Sequence, residues 1–174
     1  MDNGFIKIRK AILSDAEGIA KVHVTSWKTT YANIVSDEYL SSLSYESREK
    51  MWTNAIPNGG VYVAESHQGI IVGFSKGGKE RSSKYNGYDG EIYAIYILKE
   101  YQGKGIGIAL VKPVIDEIKG MGLNSMLVLV LKDNISRLFY ESLGGRKIDT
   151  VEVEIGGKKF SELVYGWEDI RNIF

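Results

Sequence analysis

The stretch from Glu91 to Gly107 limits what this chain can fold into more than any other. Its first half, Glu91-Ile92-Tyr93-Ala94-Ile95-Tyr96-Ile97, is β-branched and aromatic with no Gly or Pro inside it, as in a buried strand. Its second half ends in Gln102-Gly103-Lys104-Gly105-Ile106-Gly107, a polar turn with three alternating glycines, after which the apolar spacing becomes helical. A strand that feeds a glycine turn and then a helix aims several backbone N–H groups, and the positive end of the helix dipole, at one point. The expected occupant is a phosphate or pyrophosphate.

Three loop chemistries compete for it. A nucleotide P-loop needs a Lys followed by Ser or Thr, and Lys104 is followed by Gly105. A dinucleotide fingerprint needs a small third residue so that helix and strand can approach closely, and Ile108 or Leu110 stands there instead. Asp133, after the apolar run Met126 to Leu131, sits where a ribose-binding acid would, so a nucleotide-dependent oxidoreductase stays an alternative. The third pattern, Gln102-x-x-Gly105-x-Gly107, is complete.

That pattern resembles the acetyl-CoA loop of the GCN5-related N-acetyltransferase (GNAT) superfamily. Downstream, Asn134-Ile135-Ser136-Arg137-Leu138-Phe139-Tyr140-Glu141-Ser142-Leu143-Gly144 is similar to the family's second cofactor segment, with Arg137 where an alanine is commoner. The resemblance covers roughly residues 6 to 167 and is specific between Glu91 and Gly145. It implies a three-layer α/β/α domain with a mixed, mostly antiparallel sheet, splayed where acetyl-CoA binds. By the same resemblance, the cofactor-binding residues are Ile95 and Ile97 on the strand, Gln102, Gly103, Lys104, Gly105, Ile106, Gly107 and Ile108 in the loop, and Asn134. Glu91 and Tyr140 are the implied catalytic pair.

Elementary chemistry gives those two residues work. An alkylamine with a pKa of ~10.4 is neutral in roughly one molecule in two thousand at pH 7, and only the neutral amine attacks a thioester. A base is therefore needed, directly or through water, and Glu91 is the candidate. A phenol with a pKa of ~10 stays protonated and can donate to a departing CoA thiolate, whose ordinary pKa is ~8.5. Tyr140 falls off the helical stripe Ile135, Leu138, Phe139 and Leu143, which sets it apart from routine core. Lys104 reads equally as a phosphate charge or a solvated lysine, and Asn134 as a ligand group or a helix cap.

The rest of the chain frames this centre. Its 174 residues read as one domain, 1–174, and 22 basic against 22 acidic residues leave no field that favours nucleic acid or an anionic membrane. The absence of cysteine excludes disulfides, thiolate metal sites and an acyl-cysteine intermediate, and it fits a reducing cytoplasm. Two distant histidines argue against a metal centre. The N-terminal ten residues alternate apolar and charged, unlike a leader or a membrane span.

In order, the periodicities predict a strand at Ile6–Arg9, then a helix behind a Ser14-x-x-Glu17 capping box with Ala16, Ile19, Ala20, His23 and Trp27 on its buried stripe. His23 is expected to be a hydrogen-bonded core residue. Shorter helices follow behind Ser36 and around Ser47–Ala55, then a hairpin of Val61–Glu65 and Ile70–Ser75. Gly77–Gly90 reads as a surface loop and candidate substrate lid. The helix after the glycine loop contains Pro113, which removes a hydrogen bond to Ala109. A closing hairpin turns at Gly156-Gly157 and offers an edge for a homodimer.

The expected activity is transfer of acetyl from acetyl-CoA to a small primary amine, less readily a peptide, by direct attack in a ternary complex. Tyr31, Tyr93 and Trp27 are the candidate acceptor residues, since aromatic faces hold alkylammonium groups. A non-catalytic acyl-CoA sensor is the remaining alternative.

Overall fold

Residues 4–174 are described by the computed structural model, so the first three residues of the alternating N-terminal run lie outside the described residues. A single seven-stranded sheet carries strands β1 (Lys7–Lys10), β2 (Val61–Glu65), β3 (Ile71–Lys79), β4 (Gly90–Ile97), β5 (Met126–Leu131), β6 (Arg146–Ile155) and β7 (Lys158–Trp167). Their order is β1-β2-β3-β4-β5-β7-β6, and every neighbouring pair is antiparallel except β4 with β5. Helices α1 (Ala16–Thr30), α2 (Asp37–Ser42) and α3 (Tyr45–Ala55) precede the hairpin, and α4 (Ile106–Gly120) and α5 (Arg137–Ser142) follow β4 and β5.

Two apolar layers sandwich the sheet. On one face Ile19 and Val22 of α1 and Trp52 of α3 pack on Val63 and Phe74. On the other, α4 buries Leu110 against Ala64 and Val72, and Val114, Ile115 and Ile118 against Ile92, Met126 and Val128. This is the three-layer, mostly antiparallel architecture expected from the sequence.

Local chemistry departs from expectation in three places. The Ser14–Glu17 capping box does not form. Leu13–Asp15 is a 3-10 turn, Asp15 accepts from the Ile12 N–H at 2.8 Å, and Glu17 pairs with Lys21 at 2.9 Å instead. Next, β3 runs four residues past Ser75, so Gly77–Lys79 belong to the sheet rather than to a lid. The remaining loop is tied down by Arg81 to Glu91 and by Tyr85 to Asp149 at 2.9 Å.

The third departure is α5, which starts only at Arg137, with Ile135 at 76% and Leu138 at 47% exposure. Its core side is Tyr140, with Phe139 and Leu143. Six residues make fewer than two turns, too few for apolar spacing to fix the buried face. The closing hairpin does leave β6 at the sheet edge, where it exposes Lys147, Asp149, Glu152 and Glu154.

Pro113 lies inside α4, as its position in the sequence requires. The Ser75 hydroxyl, fully buried, donates at 2.8 Å to the carbonyl of Leu110, next to the Ala109 carbonyl that loses its helical partner.

Candidate active site

A one-residue irregularity in β4 creates the site. Gly77 pairs with Ile92 and Lys76 with Ala94, so Tyr93 has no partner on β3. A bulge of this kind bends its strand and shifts the side-chain alternation by one. Before it, Ile92 packs beneath α4; after it, Ala94 and Tyr96 join the α1 face while Ile95 and Ile97 take the α4 face. Glu91 and Tyr93 therefore do not share one face with Ile95 and Ile97, as unbroken alternation along β4 would have required.

The bend also ends the pairing with β5. The two parallel strands match only over Gly90–Ile92 and Met126–Val128, and beyond that they part. Between them opens a cavity of about 560 Å³, walled by the second half of β4, by Val128–Leu131, and by the start of α5. Ile95 and Ile97 line this wedge.

At its upper end stands the glycine loop. Gly103 and Gly105 have φ of 71° and 80°, a left-handed conformation that favours glycine, and Gly105 is the N-cap of the 15-residue α4. A Cβ on Gly107 would come within 3.2 Å of the Phe139 ring, which would have to shift to admit it. Gln102 turns back and donates from Nε2 to the Ile97 carbonyl at 2.9 Å, fastening the loop to the strand end. Gln102, Gly103, Gly105, Gly107 and Ile108 line the cavity. Lys104 does not, since its ammonium lies 5.4 Å from the Tyr101 ring centre, and the Ile106 side chain is buried beside Leu110. Their backbone N–H groups are what the loop can offer a phosphate. Leu110, where a dinucleotide loop needs a small residue, is fully buried in the α4 core.

Midway down, Tyr140 lines the cavity at 6% exposure. Burial, and then the nearby Tyr31, push its phenol well above the ordinary tyrosine range, which keeps it protonated. The reason given in the sequence for singling it out does not hold, because Tyr140 is part of the core as well as of the wall. Asn134 donates to the Tyr31 hydroxyl at 3.1 Å and accepts the Ser136 N–H at 2.9 Å, so it both caps its turn and joins the two walls. Trp27 donates to the Tyr96 hydroxyl at 3.1 Å and packs with its ring tilted by 48° against that of Tyr31, centroids 4.3 Å apart. Trp27, Tyr31 and Tyr93 all line the cavity.

Glu91 is placed differently from expectation. It is 3% exposed and does not line the cavity. Its carboxylate accepts from the Arg81 backbone N–H at 3.1 Å and from the guanidinium at 2.6 and 3.2 Å. Arg81 in turn lies 4.0 Å over the Tyr93 ring and lines the cavity itself.

Among the cavity residues that escaped sequence reasoning are Arg81, Ser26, Thr30, Tyr96 and Glu162. A signal existed for Glu162. In Phe160-Ser161-Glu162-Leu163-Val164 the acid takes the apolar face of an alternating strand, between Phe160 and Val164. Glu162 pairs across to Leu131 and Val151 and is half-buried. Burial first, then the charge of Glu91, raises its carboxyl above the ordinary glutamate range, against the opposing pull of Arg81.

Comparison with known proteins agrees with this geometry. Residues 79–153, the segment that holds β4, the loop, α4, β5 and α5, match the family model described as FR47-like protein. Over 165 residues the chain is 39% identical to the uncharacterized N-acetyltransferase YuaI of Bacillus subtilis, covering 95% of this chain and 94% of that one. It is 28% identical to the spermidine N(1)-acetyltransferase of Thermoplasma acidophilum, over 83% of this chain and 91% of that one. The crystal structure of the PaiA N-acetyltransferase from Thermoplasma acidophilum in complex with coenzyme A superposes with a TM-score of 0.71 at 26% identity, covering 91% and 98% of the two chains. This chain belongs to the GCN5-related N-acetyltransferase superfamily. It is an acetyltransferase, and acetyl-CoA is its acetyl donor.

Proposed function

We propose that residues 1–174 act as one N-acetyltransferase domain that moves acetyl from acetyl-CoA to the primary amine of a small molecule, by direct attack in a ternary complex. The observation that carries the reading is the single wedge between β4 and β5. Its upper end offers the N–H groups of Gln102–Ile108, its middle the protonated Tyr140, and its lower end Arg81, Tyr93, Tyr31 and Glu162. In this reading the loop and the N-terminus of α4 hold the pyrophosphate, and the unpaired edge of β4 near Ile95 receives the pantetheine arm with Asn134 opposite. Tyr140 gives its proton to the departing thiolate. Glu91 contributes by holding Arg81 in place.

A small acceptor is favoured because Trp27, Tyr31 and Tyr93 supply aromatic faces for an alkylammonium group within the same cavity. The spermidine specificity named for one relative is in keeping with it. The experiment is mass spectrometry of reactions containing acetyl-CoA and a panel of primary amines and lysine peptides. Small amines that gain an acetyl group while peptides do not support the reading. Tight acetyl-CoA binding with no acetylated amine contradicts it.

A further inference from the structure

The cavity has two residues with formal charge on its wall, Arg81 and Glu162, and they are not equivalent. Arg81 spends its charge on Glu91 behind it, through two guanidinium hydrogen bonds, with a third from its backbone N–H. Two carboxylates against one guanidinium leave this end of the site with a net negative charge, and the exposed share of it sits on Glu162. A second feature points at a ligand. The Ser26 hydroxyl oxygen is fully buried, lines the same cavity, and among the described residues has no hydrogen-bond partner. A buried hydroxyl without a partner costs ~1–3 kcal/mol unless water or a ligand satisfies it. Around these groups stand the aromatic rings of Trp27, Tyr31 and Tyr93.

We propose that Glu162 is the acceptor-binding carboxylate of this enzyme: it docks an alkylammonium group and takes its proton, which makes small cationic amines the preferred acceptors. The inference rests on the acetyltransferase reading and adds the residue and the charge class to it. Glu162 removes one proton from the ammonium. The freed nitrogen bonds to the acetyl carbonyl carbon as the C–S bond breaks. Tyr140 protonates the departing sulfur and recovers a proton from the acylated nitrogen, so amide, CoA thiol and one proton released through Glu162 are the products. The groups that set the titration of Glu162 are Glu91 on β4 and Arg81 in the loop before it. Its charge is felt in return by Tyr31 after α1 and by Tyr85 in the same loop. A carboxyl held above the ordinary glutamate range is a better base at neutral pH than a solvated one.

Steady-state kinetics with three probes of one length tests this: 1,4-diaminobutane, n-butylamine and 4-aminobutanoate. The diamine should be used best and 4-aminobutanoate worst, by about tenfold or more between them. Glu162→Gln should lower kcat/KM for both cationic amines at least tenfold and remove the acid limb of the pH profile. The KM for acetyl-CoA should not move, and Glu162→Asp should restore part of the activity. Full activity in a folded Glu162→Gln, or 4-aminobutanoate as the best acceptor, overturns the assignment and leaves the acetyltransferase reading intact. Acetyl-CoA binding without acetylation of any of the three amines overturns both.

Discussion

Tyr140 and His23 are both aromatic groups whose protonation is set by burial, with opposite consequences. Tyr140 is kept protonated, so Tyr140→Phe should slow kcat roughly 100-fold, as removal of a general acid does, with little change in Tm. Rapid turnover by the Phe variant would remove Tyr140 from the chemistry. His23 is held at a pKa of about 4, mainly by burial and then by Arg48, and its Nδ1 accepts from the Trp52 indole at 3.1 Å. Its folded value lies below the unfolded one of 6.5, so the unfolded chain binds the extra proton first. Stability should therefore be lost as pH falls from about 6.5 to about 4, and His23→Gln should flatten that part of a Tm-against-pH curve. For Glu162 the sign is reversed. A raised carboxyl makes the fold less stable as pH climbs out of the ordinary glutamate range, so Glu162→Gln should melt higher at pH 8 and unchanged at pH 4. Of these residues the sequence displayed Tyr140 and His23, which stand in recognisable local patterns. Arg81 and Ser26 were invisible in it because strand pairing and helix packing bring them to the cavity from distant parts of the chain.

Elements were legible where their signal is local. The strand–glycine–helix unit, the cap at Ser36, and the hairpin turn at Gly156-Gly157, with φ of 60° and 79°, follow from short-range rules. The bulge at Tyr93 does not, because nothing in a β-branched run marks which residue will be left without a partner. The expected splay therefore came from the family resemblance, and the structure supplies its mechanical cause. Ser75 belongs to this scale too, as it ties β3 to the proline-weakened turn of α4. Ser75→Ala leaves the buried Leu110 carbonyl short of a donor and should cost ~1–3 kcal/mol, several degrees of Tm in thermal denaturation. An unchanged Tm would mean that the helix satisfies that carbonyl itself.

Over the whole molecule, one sheet divides the labour. Within the sheet, β1 to β4 form one part and β5 to β7 the other, joined by only three residue pairs of β4 and β5 before the strands part, while α4 packs across both. Such a wedge gives a long, flexible donor one route, from the loop at Gly103–Gly107 down to the acceptor end at Glu162. Among the described residues no helix is long and apolar enough to cross a membrane, and no cluster of His, Asp or Glu is grouped to hold a metal. In the proposed reading the chemistry belongs to side chains and backbone N–H groups along this one wedge. Hydrogen–deuterium exchange with and without acetyl-CoA tests that assignment most directly. The account predicts new protection of the amides at 102–108 and around 129–134, with β1 and the β6 edge unchanged. Protection that falls elsewhere, or none in these two segments at saturating acetyl-CoA, would contradict it.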